Sequence, residues 1–189
     1  IGSIASSALD GLLRVTSGVY GVRAMNTYPL IFTCREVVVG KRYSASIDIA
    51  GRAVLEHDGA SWCVYGVEPG AVAGCGDTPQ EAYDEFRAAI KSVLIDSAGW
   101  SPENFDAFAR DVNQFGLDVN QVMLLKWEEA RAAIRSGAEI QDDFARALPR
   151  RTEDLVPPRV RVLRLDEVNE NLPAQLNDLV PNDRLLAAA

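Results

Sequence analysis

Few residues in this chain are able to carry chemistry: a single histidine, His57, the cysteines Cys34, Cys63 and Cys75, and the carboxylates Asp48, Glu56 and Asp58. A nucleophilic triad needs a base held against a serine or thiol and oriented by a third group. His57 instead precedes Asp58-Gly59, a doublet suited to a tight hairpin, and reads as an exposed turn residue. The cysteines lack the paired spacing of a zinc site. Each is expected to be a small buried apolar residue, and their scarcity points to a reduced, cytoplasmic compartment. A two-metal nuclease centre needs several carboxylates converging on ions about 4 Å apart. With Asp58 consumed by the turn, Asp48 and Glu56 do not fix one. Walker loop, dinucleotide fingerprint and nucleophile elbow are all missing. No catalytic, cofactor-binding or metal-ligating residue is therefore assigned, no cofactor is implied, and the chain is expected not to be an enzyme.

What remains are residues suited to contact. Trp62 and Tyr65 sit in a β-prone run, and Arg159, Arg161 and Arg164 alternate with aliphatic residues in RVRVLRL, the pattern of an amphipathic strand with a basic face. These five are the candidate partner-binding residues. A net charge of −8 argues against broad attraction to nucleic acid and for a basic protein partner.

The elements that position them read in order. Residues 1–24 form a small-residue-rich appendage with a weak helical stripe, and strand patterning begins just after Met25. Pro29–Val39 and Arg42–Ala50 are strands separated by Gly40-Lys41, and Arg52–His57, Trp62–Val67 and Ala71–Gly74 complete a sheet of about five antiparallel strands. Thr78-Pro79-Gln80-Glu81 is a helix start with Thr78 as N-cap, Pro79 at the first position and Glu81 closing a capping box. The apolar face Ala82, Phe86, Ala89, Ile90, Val93 and Leu94 lays that helix across the sheet.

Residues 100–151 read as helical. One helix is capped by Ser101 ahead of Pro102 and ends at Phe115-Gly116; the next is capped by Asp118 and runs to about Ser136 through Val122, Leu125, Ala130 and Ile134; a third spans Glu139–Leu148. The glycine turn between the first two invites a helix-turn-helix reading, but nine acids against seven bases between Ser101 and Arg151 suit a groove reader poorly. Residues 152–189 read as an edge strand or linker followed by a tail after Leu165 that packs on a partner or another protomer. The fold class is α+β: a 25–99 sheet-and-helix domain followed by a mainly helical segment. No apolar run reaches the ~18 residues of a membrane span, and no signal peptide is read at the start.

The stretch Gly76-Asp77-Thr78-Pro79-Gln80-Glu81-Ala82, preceded by Val67-Glu68-Pro69-Gly70, resembles the HicB antitoxin domain, in which a GDT-x-x-EA junction joins a short strand to an amphipathic helix. The match covers Arg52–Ala98, roughly a quarter of the chain. It departs from the family where an aromatic-rich hairpin is replaced by Ala60-Ser61-Trp62, and where an extra hydrophobic hairpin precedes the domain. The resemblance implies part of a ribonuclease H fold and a non-catalytic antitoxin. Such a protein neutralises a small basic ribonuclease toxin and can repress its own operon, which makes DNA a second partner class. Two alternatives stand beside it: an oligomeric interaction module with this fold and no toxin, and a degenerate metal-dependent nuclease.

Overall fold

Thr27–Val39 and Ser44–His57 form two long antiparallel strands, β1 and β2, paired along their whole length from Thr27↔Glu56 to Val39↔Ser44. They are followed by β3 (Trp62–Glu68), β4 (Ala73–Gly76), α1 (Pro79–Trp100), α2 (Phe105–Leu117), α3 (Gln121–Arg135), α4 (Asp143–Ala147), β5 (Arg150–Arg151), β6 (Arg159–Arg164) and β7 (Arg184–Ala188). This computed structural model describes residues 26–57, 59–138, 143–148, 150–151, 158–166 and 184–188. The expected appendage 1–24, Met25 and Asp58 lie outside them. The strands make one sheet in the order β4-β3-β2-β1-β7-β5, with β6 also on β2, and the class is α+β.

The break expected at Gly51 does not exist: β2 runs straight through it. Gly51 is needed there because a Cβ would collide with the Glu68 carbonyl oxygen. Pairing with β3 shifts register at Arg52/Ala53, so β3 occupies Arg52–His57 and β6 occupies Ala45–Ala50 of the same β2 edge. The strand expected at 159–165, at an edge or in a linker, is β6, which among the described residues pairs with β2 alone. The expected tail after Leu165 also returns, because residues 184–188 pair with β1 from Leu30↔Ala187 to Thr33↔Arg184. Ala187 and Ala188 are buried there, so this portion of the tail packs on its own chain.

Alternation along the strands assigns the two faces. Leu30, Phe32, Ala45, Ile47, Ile49, Leu55 and Val64 point to one face, where they meet Ala82, Phe86, Ile90 and Leu94 of α1 and Phe108 and Val112 of α2. Ile31, Val54 and Val67 point to the other, against Trp127, Met123 and Leu124 of α3. The first cluster runs from Tyr28 to Ala145, across the boundary expected near residue 99. α2 packs on the first cluster, while α3 places Met123, Leu124 and Trp127 on the second and Ile134 against the first.

α1 begins as expected. Thr78 Oγ1 accepts from the Glu81 N–H at 3.2 Å, the Glu81 side chain accepts from the Thr78 N–H at 3.2 Å, and Pro79 takes the first position. Phe86 is fully buried and meets Phe32 edge-on, ring centres 5.1 Å apart. The next two caps differ from expectation. Ser101 closes α1 rather than opening α2, its N–H donating to the Ser97 carbonyl, while its own carbonyl accepts from the Tyr43 hydroxyl at 3.1 Å. The Pro102 carbonyl accepts from the Lys41 and Arg42 N–H groups. With Ser101-Pro102 tied to the β1–β2 turn, α2 starts one residue past Asn104, whose Oδ1 accepts from Ala107 N–H at 3.0 Å. Asn120, not Asp118, caps α3, and Asp118 instead gives its carbonyl to Gly70 N–H. α3 ends where Gly137 adopts φ +89°. Its expected stripe holds in its second half, where Ala130 is buried and Ile134 packs against the core, but Val122 and Leu125 are exposed and Trp127 is buried instead. Of the expected third helix, Asp143–Ala147 is helical, and 139–142 lie outside the described residues.

Candidate partner-binding site

The groups weighed for chemistry have structural duties. Asp48, on β2, accepts from Arg35 Nε on β1 at 2.6 Å. Glu56 accepts from Lys126 Nζ on α3 at 2.8 and 3.0 Å. His57 is not an exposed turn residue: it ends β2, half-buried, and stacks on Trp62 with ring centres 4.3 Å apart and planes 11° apart. Among the described residues no group of three or more His, Cys, Asp or Glu side chains is placed to hold a metal ion.

The cysteines divide. Cys34 is a buried thiol outside any disulfide, as expected. Cys63 and Cys75 are not separate buried residues, because β3–β4 register sets them directly opposite each other and they form a disulfide, Cα atoms 4.1 Å apart. The disulfide removes the ground on which a reduced compartment was expected. Among the described residues no helix is long and apolar enough to cross a membrane.

The five expected contact residues are not brought together. Trp62 is half-buried, packs against the α1-side core and lies over Tyr28 at 6.3 Å as well as His57. Tyr65, three residues on, points to the opposite face. They therefore do not share an exposed sheet face. The basic face of β6 is likewise divided. Arg159 and Arg161 are exposed and alternate with Val160 and Val162, which pack toward α2. Arg164 shares the valines' side, where its guanidinium sits 5.6 Å from the Phe105 ring and bonds Asp166 at 3.0 Å. That contact, with the Ser44 N–H, holds the Asp166 carboxyl below its usual range. Arg161 lies opposite Asp48, the carboxylate already bound by Arg35, so these three residues form a cross-strand row.

A second arginine cluster is structural. Arg52 makes a two-pronged ion pair with the buried Glu68 at 2.6 and 2.8 Å. Its guanidinium lies 5.3 Å from the Trp127 ring, which Arg131 also faces at 5.4 Å. Trp127 Nε1 donates to the Leu30 carbonyl at 3.0 Å, fixing the indole against the sheet. Burial first, then the neighbouring Arg135 and Arg52 charges, lowers the Arg131 pKa.

The surface that sequence reasoning missed is the outward side of α1. Asp84, Ala88, Lys91 and Ile95 follow one another at spacings of four, three and four, and all are exposed, Ile95 by 53%. Glu85 and Asp96 flank them, exposed as well, and Trp100 ends the helix one turn beyond Asp96 with 79% of its surface open. The apolar stripe legible in the sequence stops at Leu94 and Gly99 has the look of a terminator, which hides this. The helix in fact continues to Trp100. A large aromatic left so open beside carboxylates is the usual composition of a protein contact, apolar anchor inside and charge at the rim.

No protein-family model, curated protein or solved structure matches this chain.

Proposed function

We propose that this chain is a non-catalytic binding protein of the HicB-like antitoxin kind, which covers a small basic partner with the outer side of α1. One observation carries the reading. α1 buries Phe86, Ile90 and Leu94 in the core, yet leaves Ile95 and, five residues on, Trp100 open, with Asp96 one turn before Trp100 and Asp84, Glu85 and Lys91 exposed on the preceding turns. One aromatic and one aliphatic anchor, with acids outnumbering the base around them, suit a partner that presents lysine and arginine around an apolar notch. The strand–glycine–capped-helix junction on which the family resemblance rests supports the same reading.

The test is calorimetric titration with a small basic ribonuclease encoded beside this chain. Binding should weaken as salt rises, because exposed carboxylates contribute to the encounter. Trp100→Ala should lose at least about tenfold in affinity, which is about 1.4 kcal/mol. Its unfolding midpoint should stay unchanged, since the side chain packs little. Unaltered affinity in the Ile95→Ala/Trp100→Ala double variant would remove this surface from the mechanism. Metal-dependent RNA cleavage by the purified chain would overturn the non-catalytic reading.

A second reading, an oligomeric interaction module, is favoured by α3. Val122 and Leu125 lie one turn apart and are 62% and 61% exposed. Sedimentation of the wild type beside Leu125→Glu separates it: self-association lost in the variant assigns that patch to a second copy.

A further inference from the structure

We propose that Cys63–Cys75 is a thiol–disulfide exchange site through which small-molecule thiols set the order of β4 and of the first turn of α1. The proposal stands apart from the identity of any partner and is tested on the free protein.

Access comes first. Cys75 is exposed and Cys63 half-buried, so an incoming thiolate reaches the Cys75 sulfur. It attacks Cys75 Sγ, the protein S–S bond breaks, and Cys63 leaves as a thiolate that takes a proton from water. A second thiolate then attacks the external sulfur of the mixed disulfide at Cys75. The small disulfide departs and Cys75 is released as a thiolate. Two electrons pass from two small thiols to the protein, and the reverse sequence restores the bond.

What the bond holds is a short element. β4 has four residues and, among the described residues, pairs with β3 alone, from Trp62↔Gly76 to Tyr65↔Ala73. Hairpins of this length are marginal without added support. Cys75 lies one residue from Gly74, which is buried so closely under α1 that a Cβ would collide with the Phe86 backbone nitrogen. One residue the other way, a Cβ on Gly76 would meet Glu81 Cβ at 2.5 Å. Next, the N–H groups of Asp77 and Thr78 both donate to Glu81 Oε2, at 2.9 and 3.2 Å. The covalent bond, the strand and the helix cap are thus consecutive in the chain, with backbone resting on backbone. A shift of β4 has no flexible side chain in which to be absorbed before it reaches α1.

The experiment compares the full chain oxidised in air, reduced with a small monothiol, and reoxidised. Alkylation with mass spectrometry should find Cys63 and Cys75 protected in the first and third states and modified in the second. The buried Cys34 should stay protected throughout. Amide exchange over residues 73–82 should rise about tenfold on reduction and return on reoxidation, with α3 unchanged, the signature of a local opening. Cys63→Ala/Cys75→Ala should match the reduced pattern, and reduced wild type carries the same readout if that variant fails to fold. Absence of the cross-link in the oxidised protein, or equal exchange of 73–82 in both states, overturns the proposal. Modification of Cys34 on reduction would mean global unfolding, and overturns it too.

Discussion

At the scale of single residues, stability rests on a few side chains whose partners cannot be replaced. Thr78 closes the α1 cap, and Thr78→Ala should cost about 1 kcal/mol in chemical denaturation. Phe86 is fully buried against Phe32, so Phe86→Ala should cost about 3–5 kcal/mol, most of it the unfilled space. Arg52 is a different case. Removing it leaves Glu68, 6% exposed, as an unpaired charge, and Arg52→Ala should cost about 3 kcal/mol or more. Arg52→Ala/Glu68→Gln should recover some of that loss, and a double-mutant cycle reads the coupling. The Thr78 cap and the Phe86 stripe are legible in the sequence because both depend on neighbours within one or two turns. The Arg52–Glu68 pair is not, since its geometry exists only once β2 and β3 are in register.

Elements are legible where local chemistry decides them and obscure where a distant contact does. Four adjacent residues suffice for the start of α1. Gly51 reads as a strand end because a glycine's need for space looks, in sequence, the same as its tendency to break. Ser101-Pro102 has the composition of a helix start, but hydrogen bonds to Tyr43, Lys41 and Arg42 claim it first. α3 carries apolar residues on two sides, so periodicity leaves its buried face undecided, and the Trp127 bond to the Leu30 carbonyl chooses. Of the candidate site, the acidic character is legible, while the α1 face behind it requires knowing where α1 ends. Gly74→Ala, which drives a Cβ into α1 backbone, should destabilise by about 2–3 kcal/mol, with raised amide exchange in α1 as the check. The end of β6 responds to pH. Asp166 has its carboxyl pKa lowered by Arg164 first and by the Ser44 N–H. A group depressed on folding contributes above its unfolded pKa. This clasp should therefore be present at neutral pH and be lost as pH falls through about 4 and below, visible as broadening of the Ser44 and Leu165 amide signals.

For the molecule as a whole, the sheet makes the two sides of the sequence interdependent. β1 takes β2 on one edge and β7 on the other, while β2 divides its far edge between β3 and β6. Pairings so distant in sequence leave no local signal: the alternation of RVRVLRL marks β6 as a strand but not its place on β2, and β7 reads as tail. A chain ended at residue 183 should unfold at lower denaturant and self-associate, because the uncovered Leu30–Thr33 edge of β1 offers unpaired N–H and C=O groups. Denaturation and sedimentation at several concentrations measure both effects. An unchanged midpoint would mean that β7 adds nothing to the sheet.

The β1–β7 pairing also sets how the molecule answers to mechanical load. Because Leu30 lies opposite Ala187 and Thr33 opposite Arg184, the beginning of β1 and the end of β7 emerge at the same end of the ladder. Tension applied between Asn26 and Ala188 pulls across the strands rather than along them. The bonds then open rung by rung, like a zipper, instead of resisting together in shear. β7 peels away at low force, while β1 and β2, locked over their full length, hold until much later.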